Sequence, residues 1–142
     1  MSRRLSRDTA NVSEENMEIV RRAWEAIDRR DNKSLFELYD PNIVWHSHYG
    51  PISGSYHGHE GVRQFFREWT EALESFRAQA REFIGTGDFV VVDVVVWARG
   101  RGSGVEAEMS QGHLCTVQNG RLTRVELFES KDKALEAAGF SE

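Results

Sequence analysis

Cysteine and proline are scarce in this chain of 142 residues, with one and two copies. The lone Cys115 excludes an internal disulfide and fits a reducing, cytoplasmic setting. No apolar run approaches the roughly 20 residues of a membrane helix, so no membrane partner is expected. Arg3, Arg4 and Arg7 open the chain, but no apolar segment follows them, so they do not make a secretory signal. Positive charge is also in deficit. Eighteen Lys and Arg against 23 Asp and Glu leave a net charge of −5, which argues against a general nucleic-acid surface. Internal repeats, linkers and low-complexity segments are missing too. What remains is an ordinary globular composition, 39 % hydrophobic and 29 % charged, long enough for one domain with a sizeable core. Residues 1–11 read as a disordered leader and residues 12–142 as a single domain.

The stretch from Phe89 to Phe128 organises the rest. Phe89 to Trp97 reads FVVVDVVVW, a β-branched run suited to a strand buried on both faces. A glycine-rich turn, Gly100 to Gly104, leads to a second strand from about Val105 to Val117. Asn119-Gly120 is a strong hairpin signal, since both central residues of a type I′ turn need φ > 0. The third strand runs from Arg121 to about Glu129. Centring the first turn near Gly102 pairs Asp93 with Gln111, Val95 with Met109 and Val91 with His113. Carrying the second turn's register along the strands pairs His113 with Glu126, Gln111 with Phe128 and Cys115 with Arg124. Period-2 alternation then gathers Asp93, Trp97, Met109, Gln111, His113, Arg124, Glu126 and Phe128 on one face. Val92, Val94 and Val96 fall on the other face with Glu106 and Glu108, an apolar stripe suited to a homodimer through the sheet. A slip of one residue at the glycine-rich turn would reverse the assignment.

Earlier in the chain, Ser13 reads as a helix cap, with Val12 and Met17 spaced as a hydrophobic staple. Met17, Val20, Trp24 and Ile27 form the stripe of this first helix, which should end near Arg30. A short helix follows from about Lys33 to Tyr39, stopped by Pro41. Ile43 to His48 reads as a strand and Tyr49 to Gly58 as a loop. Val62, Phe65, Phe66, Trp69, Leu73 and Phe76 mark an amphipathic helix, and Arg77 to Ile84 a further strand. Ser130 caps a last helix, Lys131 to Ala138, closed by Gly139. This order is α+β. Helices on one face of a curled, mainly antiparallel sheet make a cone, a natural small-molecule pocket.

Asp93 is the sharpest candidate, because a carboxylate in a valine run is seldom buried without a partner. It reads either as a pocket base raised by desolvation or as a structural carboxylate held by Arg124, Gln111 or a backbone amide. His113 reads either as an acid or shuttle oriented by Glu126, or as a satisfied core histidine. Trp45, Ser47, Tyr56, Phe66, Trp69, Trp97, Met109, Gln111 and Phe128 are the expected lining of a pocket for a small apolar molecule. His46, His48, His57 and His59 complete no recognisable metal motif, and neither metal nor cofactor is expected.

The passages AIDRRD…LFELYDPNIVWH, YHGHEGVRQFFREW, GRGSGVE and NGRLTRVELFESKDKALEAAG resemble the nuclear transport factor 2-like superfamily. Within it, the chain is similar to the SnoaL-like polyketide cyclase group, over roughly residues 14–140. The resemblance implies a cone-shaped α+β barrel, usually dimeric through the sheet. Its members include cyclases, ketosteroid isomerases, limonene epoxide hydrolases and non-catalytic binders. The isomerases' aspartate base corresponds here to Ser47 and their oxyanion-hole tyrosine to Ala23. The hydrolases' Arg-x-Asp pair falls near Val95 and Trp97, and their second aspartate at Glu126 or Leu127. Neither catalytic set is carried intact. The leading expectation is a cofactor-independent enzyme of cyclase, isomerase or hydrolase type, with Asp93 as base, His113 as acid and Glu126 as orienting group. The alternative is a non-catalytic binding or protein-interaction module of the same fold.

Overall fold

The computed structural model describes residues 2–50 and 52–139, with the backbone alone for residues 2–11 and residue 86. The leader expected over residues 1–11 thus falls outside the described side chains. The elements are α1 (Ser2–Arg29), α2 (Asn32–Leu38), β1 (Tyr39–Ser47), β2 (Gly54–His57), α3 (Gly58–Ala72), β3 (Leu73–Thr86), β4 (Phe89–Gly100), β5 (Glu106–Gln118), β6 (Arg121–Phe128) and α4 (Lys131–Ala137). The six strands form one sheet in the order β2-β1-β6-β5-β4-β3. Every pairing is antiparallel except that of β1 with β6. Among the described residues, no helix is long and apolar enough to cross a membrane.

Helices α1, α2 and α3 lay Val20, Ala23, Trp24, Leu35, Phe36, Val62 and Phe65 on the concave face of the sheet, in the α+β cone expected. Ser13 does not cap α1, because the helix begins at Ser2. Its hydroxyl instead accepts from the Gly87 N–H at 3.0 Å, and Asn16 Nδ2 donates to the Gly87 carbonyl at 3.4 Å. These bonds tie α1 to the β3–β4 turn. Gly54–His57, expected within a loop, is a short strand on the edge of β1.

The apolar spacing of α3 runs on to Leu73 and Phe76, but the helix stops at Ala72. Its end is held from a distance. The Arg101 guanidinium donates to the carbonyls of Thr70, Glu71 and Leu73 at 2.8, 3.1 and 3.1 Å, groups an α-helix leaves unpaired. Leu73 onward then pairs with β4. The last helix follows its local signals, with Ser130 accepting from Lys133 N–H at 3.2 Å and Gly139 at φ 89°.

Register decides what the cone contains, and here the structure departs from the sequence expectation by one residue. Gly100 N–H bonds to the Val105 carbonyl, so the loop of the first hairpin is Arg101–Gly104. Four loop residues centre the turn between Gly102 and Ser103, not on Gly102. Asp93 therefore faces Gly112, Val94 faces Gln111 and Val92 faces His113. The second hairpin turns at Asn119-Gly120 as expected, with φ 54° and 77°. The pairs Gln118–Arg121 and Val117–Leu122 keep the expected register, and then a bulge at Thr123 shifts it. Beyond it Cys115 faces Val125, His113 faces Leu127 and Leu114 faces Glu126.

The two shifts reverse the faces of β4 and of most of β6 relative to β5. Val92, Val94 and Val96 lie in the core under the helices and leave no apolar stripe outside. Asp93, Trp97, Arg124, Glu126 and Phe128 alternate onto the convex face, while Met109, Gln111 and His113 stay on the concave one. The convex face carries its own small core, Val91, Leu114 and Ala134, because α4 packs there rather than with the other helices. Gly112 permits this. A Cβ at that position would overlap the Ser130 carbonyl and lie 2.9 Å from Ala134 Cβ. Gly112→Ala should therefore cost about 3 kcal/mol, by forcing α4 away from the sheet. A denaturant melt matching wild type would refute that docking.

Asp93 is half-buried and stands opposite Gly112 and Glu82. Its nearby cation is neither Arg124 nor another strand residue but Lys131 of α4, which bonds Glu82 at 3.3 Å and whose ammonium feels the Asp93 charge. Asp93→Asn should change stability by less than about 1 kcal/mol, as for other partly exposed charge pairs. A loss of about 3 kcal/mol or more in thermal melts would instead mark a buried ion pair.

Candidate functional site

The concave face under α1 and α3 collects most of the expected lining. Trp45 and Ser47 come from β1, Gln111 and His113 from β5, and all four are buried. Tyr56, Phe66, Trp69 and Met109 pack against the same core. Trp97 and Phe128 do not belong to it, since register sends both to the convex face.

Near β5 the polarity within the cone comes from uncharged groups. His113 Nε2 lies 2.7 Å from Gln111 Oε1. With the amide oxygen as acceptor, the imidazole carries its proton on Nε2 and leaves Nδ1 free to accept. The Trp24 ring covers His113 at 5.6 Å between centroids. Burial pushes the imidazole down from 6.5 to about 3, so it is neutral at physiological pH. Burial likewise pushes the Cys115 thiol up to about 12, which leaves no thiolate for chemistry. Ser47 donates to the Tyr49 carbonyl at 3.0 Å, and burial raises the Tyr49 phenol, which reaches the Ser110 carbonyl at 3.4 Å.

A second feature lies beneath α3. Phe65 is the hub of an aromatic group, with Trp45 at 5.5 Å, Tyr56 at 5.3 Å and Trp69 at 6.2 Å. Tyr56 can fit here because α3 has Gly61 above it, where a Cβ would come within 3.0 Å of the Tyr56 backbone. The Tyr56 hydroxyl donates to Glu68 Oε1 at 3.1 Å. Among the described residues, three buried side-chain atoms find no hydrogen-bond partner: Trp45 Nε1, Trp69 Nε1 and Glu68 Oε2. The two indoles belong to this group, and Glu68 is bonded to its Tyr56. Two are donors and one is an acceptor.

The acid/base set expected from the sequence is split. Asp93 and Glu126 stand on the convex face and His113 on the concave one, so the three share no site. Glu126 is oriented by other partners, His48 Nε2 at 2.9 Å and Arg124 Nε at 3.3 Å. Burial would raise its carboxyl, but these two hydrogen bonds and charges bring it below its ordinary value. His48 stacks on Phe128 at 4.4 Å and lies 4.2 Å from His46, which meets Ser55 Oγ at 2.5 Å. His59 turns elsewhere, to the Tyr39 carbonyl. His46 and His48 thus meet each other while His59 stands apart from them.

Sequence reasoning missed Tyr49, Glu68 and Trp24. Tyr49 sits in a loop, Glu68 has the spacing of a solvent-facing helix position, and Trp24 reads simply as core. Of the positions implied by the isomerase and hydrolase relatives, Ser47 and Leu127 lie on the concave side and Ala23 is buried in α1. Val95 and Trp97 alternate onto the convex face, where Val95 is buried and Trp97 partly exposed.

Comparison with solved structures agrees with the architecture. An NTF2-like protein of unknown function from Burkholderia pseudomallei is 26 % identical, with a TM-score of 0.73 over 86 % of this chain and 95 % of that one. TerC, co-crystallised with polyporic acid, is 25 % identical, with a TM-score of 0.73 over 89 % and 99 %. Bal32a, from a soil-derived mobile gene cassette, is 27 % identical, with a TM-score of 0.73 over 82 % and 90 %. Among curated protein sequences none matches significantly. The family model described as the SnoaL-like domain matches residues 20–125, most of the helices and sheet that build the cone. The chain belongs to the SnoaL-like domain family.

Proposed function

We propose that this protein binds a small, largely apolar molecule that carries an oxygen acceptor and a hydroxyl, beneath α3 at the concave face. The observation that carries the reading is the trio of unpartnered polar atoms around Phe65, Trp45 Nε1, Trp69 Nε1 and Glu68 Oε2. Buried donors and acceptors are nearly always paired, and each unpaired one costs about 1–3 kcal/mol. A ligand oxygen taken by an indole N–H and a ligand hydroxyl given to Glu68 would recover that cost. The aromatic walls suit a flat apolar body. The 25 % identical TerC, co-crystallised with polyporic acid, supports a small molecule as the ligand class.

Binding is favoured over acid/base turnover by the residues themselves. A general base or acid works best when it titrates near the operating pH. His113 is neutral, Cys115 is a thiol, and Asp93 and Glu126 face away.

Polyporic acid and a panel of small hydroxylated aromatic ketones are the probes of choice, read by tryptophan fluorescence and by amide shifts. At least one should saturate, shifting Trp45, Phe65 and Trp69. Trp69→Phe keeps the ring but removes the N–H, and should weaken that ligand about ten-fold, as should Glu68→Gln. Equal affinity for wild type and both variants would defeat the reading.

The His113 environment has a consequence for stability. The unfolded imidazole takes up a proton near pH 6.5, whereas the native one holds out to about pH 3. Above pH 6.5 the group is neutral in both states and exerts no pull. As pH falls below 6.5 the unfolded state gains the proton first, and stability drops by about 1.4 kcal/mol per unit. His113→Gln should remove this slope, making ΔG about 1.7 kcal/mol less sensitive between pH 6.5 and pH 5. Parallel wild-type and variant slopes in denaturant titrations would contradict a desolvated His113.

A further inference from the structure

A cleft of about 730 Å³ opens on the outside of the cone, between α2, α3 and the start of β6. Its lining adjoins the aromatic group around Phe65 through Phe66 and through Tyr39, 5.9 Å from Trp45, but includes none of Trp45, Tyr56, Phe65 or Trp69. Its floor is aromatic. Phe36 and Tyr39 are buried and meet edge to face at 5.3 Å. His59 forms a wall. Its Nε2–H donates to the Tyr39 carbonyl at 2.9 Å, and its ring stands at 88° to Phe36, tying the start of α3 to the start of β1. Gly58 lets the two approach, since it holds φ +70° and a Cβ there would lie 3.1 Å from the Pro41 carbonyl.

The rim is cationic in a chain that is acidic overall. Lys33 of α2, Arg63 and Arg67 of α3 and Arg121 of β6 line it, against the single carboxylate of Glu37. Arg63 and Arg67 share Glu60 through exposed, weak contacts at 3.9 and 3.4 Å. Among the described residues neither Lys33 nor Arg121 forms an ion pair. Arg63 also reaches over the Phe36 ring, its guanidinium carbon 4.6 Å from the centroid. That contact holds the guanidinium fork in place at the cleft, where its remaining N–H groups can receive a planar anion. Helix spacing of four residues brings His59, Arg63 and Arg67 onto one side of α3.

We propose that this cleft is a second ligand site, for a small organic anion with a flat apolar body, a carboxylate or phosphate on an aromatic ring. The ring would rest against Phe36 and Phe66, and the head group would sit among Lys33, Arg63 and Arg121. Neither half suffices alone. Aromatic area without charge would not select an anion, and exposed cations without a floor would hold it only loosely.

Benzoate, phenyl phosphate, inorganic phosphate and benzamide, titrated into the full chain and followed by amide shifts, test this directly. Benzoate or phenyl phosphate should saturate, shifting residues 33–39 and 59–67, and the tighter of the two identifies the head group. Benzamide and inorganic phosphate should bind at least about five-fold more weakly, each lacking one half of the recognition. Raising NaCl from about 50 to 500 mM should weaken the aryl anion several-fold. Lys33→Gln/Arg63→Gln should weaken it about ten-fold while lowering the melting temperature only slightly, since both side chains are exposed and Arg63 loses its contacts with Phe36 and Glu60. Benzamide binding as tightly as benzoate, an affinity unaffected by the double substitution, or shifts confined to Ser47, Gln111 and His113 would overturn the assignment.

Discussion

The backbone pairing of Asp93 with Gly112 is the contact on which both faces of the sheet depend. Side chains alternate along a strand, so this one pair commits the even residues of β4 and the odd residues of β5 to the concave side. Val90, Val92, Val94 and Val96 become core, and Asp93 is left outside where its charge can keep water and Lys131. The same pair puts the glycine, with no side chain, where the Ser130 carbonyl and Ala134 press onto the convex face. Helix α4 can then shield Val91 and Leu114. The Thr123 bulge completes the arrangement by keeping Val125 and Leu127 in phase with Cys115 and His113, while Glu126 turns out to His48 and Arg124.

Charge follows the same division. Desolvating an ion is far more costly than desolvating a dipole, and the concave face near β5 carries dipoles: the Ser47 hydroxyl, the Gln111 amide and a neutral His113. Carboxylates and cations gather on the convex sheet and along the exposed sides of α2 and α3. Glu68 stands between these regimes. One of its oxygens is held by Tyr56 and the other is buried without a partner, as are the indole N–H groups of Trp45 and Trp69.

Local signals were readable from the residues, and long-range ones were not. The β4 valine run, the Asn119-Gly120 turn, the Ser130 cap and the α1 stripe each act within a few positions, and the structure follows them. The Gly100–Gly104 turn has glycines at alternate positions, and Gly102 and Gly104 both adopt positive φ, so composition allows a centre on or beside Gly102. That ambiguity is half a residue at the turn and a whole face at the site. The end of α3 rests on Arg101, about thirty residues away, and nothing in the α3 pattern announces it. Trp45, Ser47, Trp69, Met109 and Gln111 were legible as core-side residues because they lie on β1, α3 and β5, whose core faces the patterns fixed. Asp93 and Glu126 were misassigned because β4 and β6 reach the site only through the two registers that slipped.

The unpaired atoms around Phe65 bear on why a domain of this size would keep such a group. Phenylalanine in place of either indole would fill much of the same space without leaving an N–H unpaired, and glutamine in place of Glu68 would bury an amide rather than a carboxylate oxygen. Marginal stability makes a cost of a few kcal/mol significant for a domain whose total is about 5–15 kcal/mol. An arrangement of two donors and one acceptor, preset in an apolar surround, has its polar groups already desolvated and its rings already fixed. A ligand that matches it gains the hydrogen bonds with little further ordering of the protein, which is where preorganised sites draw their selectivity. A purely apolar ligand would leave the trio unpaired and gain only its area. On the proposed reading the group around Phe65 would discriminate by oxygen placement and the cleft at Arg63 by charge, with Phe66 at the border of the two.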